Sequence, residues 1–327
     1  MLFSARSVRL ILLTIISLWL VSACYQRSEQ NTEFSQSSTE NCQIIQHALG
    51  DICIPQNPQS FIALDPGALG NAISLGVEPI GSVVTNYDNQ FPDYLKSKAA
   101  EIESVGNWGQ PSLERVALLR PDLMIGIKHN YESIYPQLSS IAPTALYDWR
   151  ANISNQDNWK EYFNFVANVM GQENAAKQVW GHYNQRIEQL KTTLGDRYKD
   201  KTISFINFCC GGIYSQTVNS FTGSVLDDLG LQRPESQRRS TREGLVRYSK
   251  ETLRTADGDV MFVVAYGGDQ TGKEELSRLQ QTPLWQKLKA VQQNRVYYVD
   301  PTVWIGRTPL AADTLIDDLY TYLVNDP

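Results

Sequence analysis

Arg238, Arg239, Arg242, Arg247, Lys250 and Arg254 fall between Gln237 and Arg254, against only Glu243 and Glu251. The chain around them is acidic, with 35 Asp and Glu against 29 Lys and Arg and a net charge of -6. A basic stretch in an acidic protein is a place to hold an anion. A second such place is Trp304-Ile305-Gly306-Arg307, which follows an extended segment. Its guanidinium can grip a carboxylate bidentately while the indole packs an apolar body. The 16 Tyr and 7 Trp add rings with one polar end, suited to a partly polar ligand. No basic field extends over the chain, so nucleic acid is not an expected partner.

Catalytic motifs fail one by one. Gly267-Gly268-Asp269-Gln270-Thr271-Gly272-Lys273-Glu274 nearly matches a phosphate-binding loop. Its last position needs Ser or Thr to hold magnesium, and Glu274 would instead repel phosphates. Gly67-Ala68-Leu69-Gly70 follows a strand and opens a helix but lacks the G-x-G-x-x-G spacing. That helix N-terminus can still face an anion. There is no G-x-S-x-G elbow. His47, His129 and His182 form no H-E-x-x-H pair, so a zinc site built from clustered His and Cys has poor support. The rival from another class is an exported α/β enzyme using a pair of carboxylates, but no pair stands out.

The N-terminus sets the compartment. Arg6 and Arg9 precede an apolar run from Leu10 to Leu20, then Ser22, Ala23 and Cys24. The run is short for a bilayer span and reads as a secretory signal. Residues 1–23 are expected to be removed, leaving about 300 residues, a soft prior for two domains. Residues 24–41, rich in Ser, Gln, Glu, Asn and Thr, read as a flexible tether. Outside the cytoplasm disulfides are allowed. Cys42 and Cys53 flank an expected hairpin turning at Leu49-Gly50-Asp51. A tight turn would place Cys53 opposite Gln46, so a bridge needs a longer turn or a register shift. It is still favoured, because free exported thiols are unusual and these two lie close in sequence. Cys209-Cys210 ends a strand, and adjacent cysteines rarely bridge without strain.

Short apolar strands alternate with helices through the first half. Phe61–Leu64, Pro79–Val84, Leu123–Ile127 and Thr144–Tyr147 read as strands, and Gly67–Leu75, Ser112–Leu119 and Tyr131–Ile141 as helices. This is the pattern of βαβ units around a mostly parallel sheet. From Trp159 to Lys199 no strand signal occurs. There Ala176, Val179, Tyr183, Ile187, Leu190 and Leu194 hold one apolar face. A helix over Glu173–Leu194 would be roughly 33 Å long at about 1.5 Å per residue, enough to span two lobes. Alternation then resumes. Thr202–Cys209, Asp259–Ala265 and Arg295–Val299 read as strands, and Ser224–Leu229, Glu274–Val291 and Pro309–Val324 as helices. The fold class is α/β, with two halves and a helix between them.

Several stretches, in their order, resemble the solute-binding lipoproteins of bacterial ABC importers for ferric siderophores, ferric citrate and cobalamin. They are Phe61–Asp65, Leu75–Gly81, Gly106-Asn107-Trp108, Pro111–Glu114 and Leu119–Leu123, then Ser249-Lys250-Glu251, Gly258–Val263, Pro283-Leu284-Trp285 and Arg295–Asp300. The likeness runs from about Gln43 to Leu323, and the Ser22-Ala23-Cys24 stretch is similar to a lipoprotein signal in which Cys24 takes the lipid.

The resemblance implies two Rossmann-like lobes, 42–172 and 196–327, joined by one rigid helix at 173–195, with ligand in the cleft between them. It implies one docking glutamate per lobe for the permease, at Glu114 and Glu251; Glu114 also suits a helix N-terminus. The implied partners are a ferric siderophore or ferric citrate, an ABC permease dimer with its ATPase, and a membrane reached through the lipid. The protein is expected to act as a monomer without cofactor or directly bound metal, the chelator filling the iron's coordination sphere. A cobalamin or haem receptor of the same fold is the nearer alternative. The cobalamin members carry an aromatic shortly before their Ser-x-Glu motif, where this chain has Gly244-Leu245-Val246. Uncharged Phe208–Gly211 argues against a catecholate and for a carboxylate or mixed citrate–hydroxamate ligand. Arg242 and Arg307 are expected to face the chelate, with Arg239 and Lys128 as weaker contributors. Trp108, Trp304, Tyr214, Tyr87 and Tyr266 are its expected aromatic walls.

Overall fold

A computed structural model describes residues 42–85, 90–151, 158–241, 244–266 and 271–325. Cys24, Tyr87 and Arg242, with the signal, the tether and the first half of the phosphate-loop-like stretch, lie outside the described residues. A two-stranded sheet, β1 (Cys42–His47) with β2 (Gly50–Pro55), precedes the first main sheet. Both Cys42 and Cys53 are disulfide-bonded.

The first main sheet holds six strands, β3 (Phe61–Ala63), β4 (Gly81–Val84), β5 (Glu103–Asn107), β6 (Gln110–Pro111), β7 (Leu123–Ile127) and β8 (Thr144–Tyr147). Their order is β6-β5-β4-β3-β7-β8, parallel except for the short β6 edge. Successive residues feed opposite faces. Phe61 and Ala63 join one buried cluster, Ile62 and Leu64 another. A parallel strand covered on both sides therefore reads as a continuous apolar run.

Helices α1 (Pro66–Ser74), α2 (Leu113–Leu119), α3 (Lys128–Tyr131) and α4 (Tyr135–Ile141) connect these strands. Ser112 caps α2 through the Arg115 N–H, and Arg120, in the left-handed region at φ 50, ends it before Pro121. Helix α5 (Asn158–Val169) follows, then α6 (Glu173–Leu194). The first turns of α6 put Ala176, Val179 and Trp180 against the first sheet's core. Its later turns put Tyr183, Ile187, Leu190 and Leu194 into the second's. Helix α5 splits within one turn: Trp159 packs into the second core, and Tyr162, Phe163 and Val166 into the first.

The second main sheet has the order β11-β10-β9-β12-β13. Its strands are β9 (Ile203–Cys209), β10 (Gly212–Gln216), β11 (Leu245–Tyr248), β12 (Val260–Ala265) and β13 (Val296–Tyr298). Strands β9, β12 and β13 run parallel, while β10 turns back antiparallel beside β9 and pairs with β11. The sequence reading overlooked β10 and β11, which lie in polar, glycine-bearing stretches. Helices α7 (Phe221–Asp228), α8 (Thr271–Gln280), α9 (Pro301–Trp304) and α10 (Pro309–Leu319) complete this half. The single helix expected over Glu274–Val291 is broken. Pro283 cannot donate a helical hydrogen bond, and short helices restart at Pro283 and Lys289.

Helix α10 lies against α1. A Cβ on Gly70 would meet Thr308 Cγ2 at 2.7 Å, so only glycine lets the two elements approach this closely. Tyr94, a first-half residue, sits 3.2 Å from the Thr308 hydroxyl and fastens the same junction. Among the described residues no helix is long and apolar enough to cross a membrane.

Candidate ligand-binding cleft

The carboxyl ends of the strands in both main sheets converge on one cavity of about 140 Å³. Asp65 follows β3, Thr85 follows β4, Trp108 follows β5, Ile127 closes β7 and Trp149 follows β8. From the other half come Tyr266 after β12, and Thr302 and Arg307 beyond β13. Open α/β sheets present ligand sites at this end because the loops there diverge and leave space. A smaller recess adjoins it, floored by Phe221 and Trp159 and edged by Asn158, Gln216 and Asn219. Trp149 and Arg307 border both spaces.

Among the described residues, Arg307 is the cation that lines this cleft. It sits at φ 57, an uncommon conformation for a side chain with a Cβ, between Gly306 and the α10 cap Thr308. Its guanidinium carbon lies 5.2 Å from the Trp149 ring centre. Stacking on an indole fixes the plane of the guanidinium while its N–H edge keeps its donors for an anion. Trp149 in turn meets Tyr147 and Tyr162 edge-on, at 6.1 and 5.9 Å.

Asp65 opposes that cation. It is fully enclosed and caps α1, accepting from the Ala68 N–H at 3.0 Å and the Tyr162 hydroxyl at 2.6 Å. Burial raises its pKa to about 6, opposed by those hydrogen bonds and by the Arg307 charge. The N-terminus of α1, expected to be open to an anion, is thus occupied by this carboxylate. Tyr94 has its hydroxyl pushed up to about 12 by burial, so it stays a neutral hydrogen-bonding group.

The expected site residues separate under this geometry. Arg307, Trp108 and Tyr266 line the cavity. Tyr214 is half-buried under the Arg247 guanidinium, 5.6 Å from its ring centre. Its pairing with Arg247, beside that of Gln216 with Leu245, puts it on the sheet face that leads into the smaller recess. Lys128 is tied to Asp148 at 3.0 Å. Arg239 is exposed and pairs with Glu235 at 2.8 Å, away from the lining. Trp304 requires a correction. It is wholly buried, stacked 4.3 Å from Phe262, with its indole N–H donating to Asp318 at 2.8 Å. Lying in α9, it turns into the second core, and only Arg307 of that stretch reaches the cleft. Glu114 and Glu251 are both exposed, and a hydrogen bond from Ser249 holds the Glu251 carboxyl below its usual range.

Sequence reasoning missed Trp149, Asp65, Tyr94 and Tyr162. Trp149 stands two residues beyond a strand and Asp65 two beyond another, a signal that could have found both. Tyr94 and Tyr162 arrive from helical segments with no such mark.

Two α/β halves with an aromatic, arginine-edged cavity at their strand ends form the frame of a solute-binding protein. Residues 62–303 match the periplasmic binding protein family, and the chain belongs to it. It is 32% identical over 329 residues to a Bacillus subtilis protein named "probable siderophore-binding lipoprotein YfiY", covering 98% of each chain. It is 29% identical to the achromobactin-binding periplasmic protein of Dickeya dadantii, over 80% of this chain and 85% of the other. The structure of Staphylococcus aureus SirA complexed with staphyloferrin B superposes with a TM-score of 0.73. That match has 28% identity and covers 86% of this chain and 98% of SirA. The family and these relatives are binding proteins rather than enzymes.

Proposed function

We propose that the protein captures a ferric chelate, a siderophore or ferric citrate, outside the cytoplasm and hands it to an ABC permease dimer driven by its ATPase. The observation that carries this reading is the Arg307–Trp149 pair at the edge of a strand-end cavity walled by Trp108, Tyr162 and Tyr266. One fixed guanidinium beside aromatic walls suits a bulky anionic complex whose chelator already surrounds the iron. The names of the relatives above support an iron-chelate ligand. Arg242 and Tyr87 complete the site in this reading, and Lys128 and Arg239 add only long-range charge.

Lobes at 42–172 and 196–327 bind the ligand between them, with 173–195 as their connecting helix. Cys24 carries the lipid after removal of 1–23, and 24–41 tethers the body to the outer face of the membrane. Glu114 and Glu251 dock on the permease.

The test is a tryptophan-fluorescence titration of the purified protein with ferric citrate and ferric staphyloferrin B, against cobalamin and haem. Iron chelates should bind in preference. Tighter binding of cobalamin or haem than of every iron chelate overturns the assignment.

A further inference from the structure

Ligand capture leaves one reactive pair unused. Cys209 closes β9 and Cys210 opens the two-residue turn into β10. Both are free thiols, Cys209 buried and Cys210 exposed. Cys210 and Gly211 have φ values of 55 and 70, and Gly212 pairs with Cys209 across the turn. Two central residues with positive φ mark a type I′ hairpin turn, a place that favours Asn or Gly over Cys. Along a regular strand successive side chains point to opposite faces. The left-handed backbone at Cys210 undoes that alternation, and the two thiols lie within hydrogen-bonding reach of each other. The Cys209 thiol also meets the Tyr266 hydroxyl and the Asn207 amide. Asn207 is buried, its Nδ2 is 3.4 Å from the Tyr266 hydroxyl, and its Oδ1 has no hydrogen-bond partner among the described residues. Tyr266 is part of the cleft wall, so a dithiol abuts the ligand cavity through one aromatic ring.

We propose that Cys209 and Cys210 are a redox site, closed by a small-molecule disulfide into a vicinal disulfide that alters the cleft wall at Tyr266. The exposed Cys210 sulfur attacks one sulfur of the small disulfide and expels a thiolate, leaving a mixed disulfide. The Cys209 sulfur attacks the Cys210 sulfur and expels the second thiolate. The two protein thiol protons end on the two expelled thiolates. The pair gives up two electrons and the small disulfide becomes two thiols. Burial pushes the Cys209 thiol up to about 12, so it reacts second, as the resolving group. A bridge between chain neighbours is strained, which makes it easy to reduce again. Closing it draws the Cys209 sulfur toward Cys210 and off the Tyr266 hydroxyl.

The experiment incubates the full chain carrying Cys24→Ser, so that Cys209 and Cys210 are its free thiols, with oxidised glutathione and reads its intact mass. The protein should lose the mass of two hydrogens, peptide mapping should place the bridge at Cys209–Cys210, and dithiothreitol should reverse it. Cys209→Ser should instead stop at a glutathione adduct on Cys210. A ferric citrate titration should be about threefold or more weaker after oxidation. The same coupling is read without ligand, as a change in amide exchange of the peptide holding Tyr266. A stable adduct on Cys210 of the chain that retains Cys209, or a cross-linked dimer, overturns the site. A closed bridge with neither exchange at Tyr266 nor chelate affinity altered overturns the link to the cleft.

Discussion

Arg307 and Asp65 face the same cavity with opposite charge, and each makes a separable prediction. A charge-assisted contact contributes roughly 1.5–3 kcal/mol. Arg307→Ala should therefore weaken ferric citrate or ferric staphyloferrin B binding about 10- to 150-fold in a fluorescence titration. The loss should be smaller for a neutral chelate of similar size. An unchanged affinity would remove Arg307 from the site. Asp65 speaks to stability. Burial raises its folded pKa from 3.8 to about 6, so the folded state holds the proton more tightly than the unfolded chain. Its favourable contribution is full below 3.8 and is lost as pH rises through about 6. Asp65→Asn keeps a capping oxygen and removes the titration, so its stability curve, from urea unfolding at a series of pH values, should stay flatter across that window. A decline as steep as in the unsubstituted protein would show that another group titrates there.

At the scale of elements, two tryptophans in segments that follow strands have opposite assignments. Trp304 is wholly buried between Phe205 and Phe262, so Trp304→Ala should cost about 3–5 kcal/mol in stability through the cavity it leaves. Trp149→Ala should cost less stability and more affinity, because its ring supports Arg307 beside open space. Equal stability losses in the two variants would contradict this division. The α1–α10 contact depends on Gly70, where an added Cβ stands 2.7 Å from Thr308 Cγ2. Gly70→Ala should destabilise by roughly 1–3 kcal/mol, because overpacking must push the helix starts apart. That displacement lies next to Arg307 and Tyr94, so chelate affinity should fall with stability. A substitution without effect on thermal unfolding would show that the helices yield freely.

For the whole molecule, function under the proposed reading needs the membrane and the permease as well as the cleft. Cys24→Ser should release the protein from membranes, since no described helix offers a second anchor. Cleaved protein that still pellets in high salt would refute the lipid tether. Reversing both Glu114 and Glu251 to Arg should abolish iron uptake while leaving chelate affinity intact, because both carboxylates are exposed and stand off the cleft lining. A matching loss of affinity in the purified double variant would place them at the ligand instead.

Local rules determined much of this protein before any tertiary contact. Buried parallel strands leave unbroken apolar runs, so Leu123–Ile127 and Thr144–Tyr147 are legible to the residue. A single apolar face defines Glu173–Leu194, and Ser112 with Pro121 brackets the helix between them. Strands β10 and β11 escaped because short antiparallel strands with polar residues carry no such run. The cleft was legible only in part. Arg307, Trp108 and Tyr266 follow strand segments, and strand ends are where such sites form. Which aromatic beside Arg307 faces ligand and which faces the core was settled by the direction of the chain after β13. Trp304 and Arg307 are three residues apart, yet one stacks in the second core and the other on Trp149. Asp65 pairs with Tyr162 within the first half, and Gly70 meets Thr308 across the two halves, and both contacts join residues distant in sequence. No spacing rule encodes such contacts; only the packed arrangement of the two sheets brings them together.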